Sequence, residues 1–165
     1  MTETAKQDVK DDLEQMVTFN LGNEAFGVNI LQVQEINRMV EITAVPHTES
    51  YVEGIINLRG KVIPIIDLRK KFGMPEKAYD GHTRIIVVDV SGETVGLVVD
   101  SVSEVLRVPA GSLDEAPKLV SGGGTYDGAD YIKAIAKLDD RLLIYLDLNK
   151  IINSNQIAQI KAQIG

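Results

Sequence analysis

The chain is predicted to be mainly β, a barrel or sandwich rather than a parallel sheet. Short apolar runs recur along its whole length. Turn residues such as Gly22-Asn23, Ser91-Gly92 and Asp139-Asp140 separate them at short intervals. Residues 54–68, Gly-Ile-Ile-Asn-Leu-Arg-Gly-Lys-Val-Ile-Pro-Ile-Ile-Asp-Leu, set two apolar runs around the polar turn Arg59-Gly60-Lys61, a hairpin signal with an arginine at its tip. Both runs are apolar at nearly every position, so both faces are expected to be covered.

In chain order, residues 1–14 are polar and charged and are expected to be disordered, with the fold beginning near Gln15. Residues 16–21 alternate, with Val17, Phe19 and Leu21 on one face; a turn at Gly22-Asn23 leads to a return strand at 25–28. Ile30, Val33 and Ile36 recur at helical spacing. Residues 40–45 read as a further strand ended by Pro46, and residues 47–53 as a helical turn with Thr48 as its N-cap. The hairpin follows, and Pro64 within its second run requires a sheet edge or a bulge. Residues 72–81 are a loop with Gly73, Pro75 and Gly81; 83–90 and 93–99 form a hairpin; 100–106 are helical or extended, like 30–37. Residues 109–130 are loop-rich around Gly122-Gly123-Gly124, and 131–138 with 142–148 form the last hairpin. Ile157, Ile160 and Ile164 mark a helix over 151–164.

The two halves resemble each other. Glu24 to Ile36 aligns without gaps on Glu93 to Val105, an offset of 69, and Val17, Phe19 and Leu21 then fall on Ile86, Val88 and Val90. The hairpins match at an offset of 80: Ile55, Leu58, Asp67, Leu68 and Lys70 fall on Ile135, Leu138, Asp147, Leu148 and Lys150. The additional residues of the second half sit in its glycine-rich region. This predicts one domain, 15–153, made of two β subdomains at about 15–82 and 83–153, followed by a helix or tail at 154–165. The sequence leaves open whether the two exchange strands. Units this small have marginal cores, so they should pack together and leave a groove, the usual place for a binding site.

With 165 residues, 44% hydrophobic, the chain can build a real core. It has no Cys, which removes disulfides, thiolate metal sites and cysteine nucleophiles. A net charge of −7 and a pI near 4.8 argue against nucleic acid and against direct docking on anionic lipid. No apolar run approaches the length of a membrane span. The expectation is a soluble cytoplasmic protein without direct membrane insertion.

Gly54 and Gly60-Lys61 imitate a phosphate loop, but the spacing is off by one and Val62 stands where Ser or Thr must meet magnesium. The glycine-rich stretch fails the dinucleotide spacing. No motif points to a cofactor or a metal. His47 and His82 are loop residues, and Asp67, Asp100 and Asp147 end apolar runs, where turn and capping groups are common. Arg59 reads either as a solvated hairpin tip or as the partner of Glu35. Val33, Ile36, Val102 and Val105, equivalent in the repeat, read as core or, taken as a set, as the lining of the groove, where a partner helix would dock.

Gly54-Ile-Ile-Asn-Leu-Arg-Gly60 followed by Val62-Ile-Pro-Ile-Ile-Asp-Leu68 resembles the CheW family of bacterial chemotaxis coupling proteins. Phe26-Gly-Val-Asn-Ile-Leu-Gln-Val-Gln-Glu-Ile36, Val95-Gly-Leu-Val-Val-Asp100 and Val102-Ser-Glu-Val105 support it in the same order, over roughly residues 15–153. The same module occurs in the kinase CheA and in CheV, but the length of this chain fits the stand-alone adaptor. The resemblance implies two packed five-stranded Src-homology-type β-barrels and a non-enzymatic adaptor between chemoreceptor cytoplasmic hairpins and the regulatory domain of the histidine kinase CheA, recruited to membrane-associated arrays. It points to Ile30, Val33, Glu35, Ile36, Val102 and Val105 as the receptor groove, with Arg59 and Gly60 bracing that surface. Val40, Ile42 and Val45 would meet the kinase, and Leu119 would make a ring-forming contact. The rival readings are a scaffold for a non-chemotaxis receptor and kinase, and a hydrolase using Asp67, Asp100 and a histidine.

Overall fold

A computed structural model describes residues 13–115, 131–152 and 154–164. Leu119 and residues 1–12 lie outside these. The strands are β1 (Leu13–Leu21), β2 (Glu24–Asn29), β3 (Val33–Arg38), β4 (Val52–Leu58), β5 (Lys61–Asp67), β6 (Arg84–Val90), β7 (Glu93–Val99), β8 (Ser101–Pro109), β9 (Leu113–Glu115), β10 (Ile132–Lys137) and β11 (Leu142–Leu146). Helices α1 (Leu68–Lys71), α2 (Leu148–Ile151) and α3 (Ser154–Ile164) accompany them among the described residues, with 3-10 turns at Ile30–Gln32 and Ala110–Ser112. The fold is mainly β, in two sheets ordered β8-β1-β2-β11-β10-β9 and β3-β6-β7-β5-β4. One sheet has the expected five strands. The other has six, because β9 adds to β10.

The sheets repeat one connectivity. An antiparallel hairpin (β1–β2 or β6–β7) lies parallel to the second strand of another hairpin (β11 or β5), and a further strand (β8 or β3) flanks its outer side. The hairpin β1–β2 from the first half of the chain sits in the sheet built mostly by the second half, and β6–β7 makes the reverse crossing. A cut at 82/83 therefore does not divide the sheets.

Strand alternation sorts the apolar residues into three cores. On β6, Ile86, Val88 and Val90 face a shared middle core while Ile85 and Val87 face the core of their own sheet. On β1, Val17, Phe19 and Leu21 face the middle and Met16 faces the other sheet's own core. Among the described residues the middle core holds nineteen buried side chains against six in each outer core. At about 1.5–3 kcal/mol for each fully buried aliphatic or aromatic side chain, most of the hydrophobic stabilisation lies between the sheets.

Several local expectations are corrected. Leu13 and Glu14 already belong to β1, because β8 extends to Pro109 and pairs with them. Residues 30–37 are not helical: a short turn, capped by the Asn29 side chain accepting from the Leu31 N–H at 2.8 Å, leads into β3. Residues 40–45 contribute only the bridge Thr43–Ile55 rather than a strand. Thr48 caps no helix; its hydroxyl donates to the Val45 carbonyl at 3.0 Å, and the chain enters β4 by turns. Pro64 sits on an inner strand. The Ile55 N–H and C=O both bond Thr43, so Pro64, opposite Ile55, needs no donor toward β4, and the parallel pairing with β7 begins only at Ile65. The C-terminal helical segment breaks into α2 and α3, with Ile157 and Ile160 buried.

Candidate protein-binding site

β3 and β8 are terminal strands of their sheets, and each carries a bulge. In β3 the register steps from Val33–Val88 to Glu35–Val87, leaving Gln34 unpaired. In β8 it steps from Phe19–Val102 to Val17–Val105, so Ser103 and Glu104 share the place opposite Thr18. A bulge adds one residue to a face period of two. Val33 and Ile36, three apart in sequence, therefore both project to the side of Val88 and Ile86, and Val102 and Val105 to the side of Phe19 and Val17. That side is the middle core, and the three-residue spacing within each strand has this origin. Ile30, Val33 and Val102 pack partly buried against the core. Ile36 is 41% exposed and Val105 52% exposed, although both point inward. The two bulged strands thus present apolar side chains at the open rim between the sheets.

The β4–β5 hairpin supplies the charged part. Leu58 pairs with Lys61, so the turn has two central residues, Arg59 at φ 52° and Gly60 at φ 82°. Both are left-handed, as a two-residue hairpin of this hand requires, and the Asn57 carboxamide accepts the Gly60 N–H at 2.9 Å. Arg59 Nη1 donates to Glu35 Oε2 at 3.1 Å and to Oε1 at 3.4 Å, and Nη2 also donates to Oε2. Asn37 donates to Glu35 Oε1 at 3.3 Å. With the Arg59 side chain 68% exposed, the pair contributes at most about 1 kcal/mol to stability. Its effect is geometric: the hairpin tip is tied to the residue that follows the β3 bulge.

On the same sheet, a cleft of about 630 Å³ is lined by Arg38, Val40, Glu41, Thr43, Asn57 and Leu58, among others. Val40 is 50% exposed there. Ile42 instead packs on the core of its sheet, and Val45 is half-buried.

A family model described as the CheW-like domain matches residues 15–156. The chain belongs to the CheW-like domain family. It is 37% identical to the chemotaxis protein CheW of Klebsiella aerogenes over 89% of this chain and 86% of that one. It is 31% identical to the chemotaxis protein CheW of Treponema pallidum over 92% and 89%. The crystal structure of the scaffolding protein TtCheW from Thermoanaerobacter tengcongensis superimposes with a TM-score of 0.77 at 38% identity, covering 87% of this chain and 95% of that one.

In this CheW-like chain the three run-ending aspartates are all engaged in structure. Asp67 caps α1, accepting the Lys70 N–H at 3.2 Å and the Tyr79 hydroxyl at 3.1 Å. Burial pushes its carboxyl above the usual carboxylate range, against the pull of those two donors. Asp147 caps α2 through the Asn149 N–H at 3.0 Å. Asp100 is held by Arg69 and by the Gly22 N–H at 2.8 Å. Burial raises its carboxyl, but the Arg69 hydrogen bond and charge with the Gly22 donor outweigh this, so it titrates below the usual range. His47 and His82 are exposed. Among the described residues no three His, Asp or Glu side chains converge closely enough to hold a metal ion.

Sequence reasoning passed over Leu31, which is 89% exposed on the turn leading into β3, beside Ile30. An apolar residue two positions beyond a capping Asn was the available signal.

Proposed function

We propose that this chain is a non-enzymatic chemotaxis adaptor that couples the cytoplasmic tips of chemoreceptors to the regulatory domain of the histidine kinase CheA. One observation carries the reading: Ile36 and Val105 point toward the middle core yet remain 41% and 52% exposed at its rim. A helical hairpin laid along that rim would finish their burial, with Ile30, Val33 and Val102 beneath it and Glu35, held by Arg59 beside Gly60, at its edge. The kinase would meet the five-stranded sheet at the cleft around Val40 and Leu58, with Ile42 and Val45 supporting that surface. The adaptor is then cytoplasmic and recruited to membrane-associated receptor arrays, where many weak contacts add through avidity. Receptor and kinase influence each other through their shared adaptor as a coupling free energy between two sites.

The test is co-purification of the full chain with a receptor cytoplasmic fragment and with the CheA regulatory domain. Val33→Asp, Val105→Asp and Arg59→Ala are expected to lose receptor capture while keeping kinase capture and the native circular dichroism. Retention of receptor by all three folded variants would remove the groove.

A further inference from the structure

The second hairpin, β10–β11, shows no arginine-glycine tip, yet it rebuilds the same ion pair. Its turn closes through the Leu138 N–H to the Arg141 carbonyl at 2.8 Å, so Leu138 and Arg141 stand where Leu58 and Lys61 close the first turn. Arg141 Nη2 reaches Glu104 Oε1 at 3.4 Å. Glu104 is the repeat equivalent of Glu35, at the offset of 69. Each hairpin tip therefore sends a guanidinium to the same glutamate of the flanking strand, but from two non-equivalent chain positions, one inside the turn and one closing it. Inheritance of a single ancestral arginine does not explain that. Both glutamates lie at the bulge of their strand, and each immediately precedes the inward-pointing exposed residue, Ile36 or Val105. On the β8 side the bulge is fastened again by Thr18, whose hydroxyl donates to the Glu104 carbonyl at 2.8 Å and accepts the Glu104 N–H at 3.1 Å.

We propose that Arg141 and Glu104 are positioning residues for partner binding: the second of two matching braces, which holds the β8 bulge so that Val105 forms one wall of the groove as Ile36 forms the other. This rests on the groove reading above. The side chains of Arg141 and Glu104 are 42% and 52% exposed, so the pair is nearly neutral for stability and its effect lies in local geometry.

The test uses the full chain, with Arg141→Ala, the charge exchange Glu104→Arg with Arg141→Glu, and Val105→Asp as a control on the groove. Amide hydrogen exchange is followed at Ser103, Glu104 and Val105, and affinity is titrated with a chemoreceptor cytoplasmic hairpin fragment. Arg141→Ala is expected to leave the melting temperature unchanged, speed exchange at the β8 bulge, and weaken binding about two- to fivefold, the scale of an exposed ion pair. The charge exchange should restore both readouts. The affinity ratio of wild type to Arg141→Ala should shrink toward one as salt rises, because salt screens an exposed pair. Unchanged bulge exchange in Arg141→Ala, or a charge exchange that restores neither readout, overturns the brace. Wild-type binding by Val105→Asp removes the groove instead, and the brace is then decided by exchange alone.

Discussion

Arg69 grips Asp100 through two parallel hydrogen bonds, Nε to Oδ1 at 2.8 Å and Nη2 to Oδ2 at 2.7 Å, with both side chains 13% exposed. Asp100 joins β7 to β8, its N–H donates to the Asn20 carbonyl at 3.1 Å, and it accepts the Gly22 N–H. The pair thus fastens α1 of one sheet to the β1–β2 turn of the other, where the chain crosses between them. Arg69→Ala strands a nearly buried carboxylate and should cost about 2–3 kcal/mol in urea denaturation. The sign with pH follows from the depressed carboxyl. Its stabilisation is fully present above the ordinary carboxylate range and is lost as pH falls through the folded-state value. Arg69→Ala should therefore show a flatter acid limb than wild type.

Asp67 should behave in the opposite way. It is 5% exposed, and burial holds its carboxyl above the ordinary range. The folded state then keeps a proton longer than the unfolded state, so stability from this group falls as pH rises from the unfolded to the folded value. Asp67→Asn keeps a capping side chain and removes the desolvated charge. The variant is expected to match or exceed wild type at neutral pH, by up to about 1 kcal/mol, and to lose that margin below the carboxylate range. A variant that is less stable than wild type at neutral pH and equal to it in acid would show that the charge itself is stabilising.

The sheets were legible in sequence because the strands announce themselves by alternation, as at Val17, Phe19 and Leu21, or as continuous apolar runs about a tight turn, as around Arg59. The repeat was legible too, since the offset of 69 carries β3 onto β8 and the offset of 80 carries β4–β5 onto β10–β11. What misled was the bulge. Val33 and Ile36 carry a three-residue spacing because Gln34 is left unpaired in a strand, Ile30 precedes Val33 by a 3-10 turn, and no single-chain pattern separates the result from a longer helical segment. The exchange of hairpins between sheets was not legible, because nothing local in β1–β2 names the strand beside it. The Arg141 contact was not legible, because the second hairpin has no arginine at its tip and makes the contact from the closing position of the turn.

Gly54 is required for a stereochemical reason that Ile55 and Thr43 make plain. Its φ is 147°, and a Cβ there would lie 2.0 Å from the Thr43 carbonyl oxygen and 2.9 Å from Ile42 Cγ2. The close approach lets Thr43 exchange hydrogen bonds of 2.9 and 2.8 Å with Ile55. Gly54→Ala should cost about 3 kcal/mol through strain and a backbone clash. It should also speed amide exchange at Thr43 and Ile55 ahead of β6 and β7. Because the damage falls on residues 40–45, kinase capture should weaken more than receptor capture at a temperature where the variant is folded.

Deletion of Gln34 separates the bulge from the core it borders. Val33 already faces Val88 and Glu35 faces Val87, so removing the unpaired residue leaves Val33, Glu35 and Ile36 in an unbroken alternation against Val88, Val87 and Ile86. The inward apolar set is kept, and the Gln34 contact that is lost, to Asp89 at 3.5 Å, is exposed and long. Stability should change by no more than about 1 kcal/mol, since the pairs on both sides of the deletion keep their register. The strand, however, loses the bend that its bulge imposes. Glu35 then leaves the reach of Arg59, and Ile36 withdraws from the rim. Receptor-fragment affinity should fall about tenfold or more, equivalent to about 1.4 kcal/mol, while Arg59→Ala in the same background adds nothing further, since the unbent strand has already carried Glu35 away from it. Additive losses from the two changes would mean that Arg59 contacts the receptor itself rather than acting through Glu35.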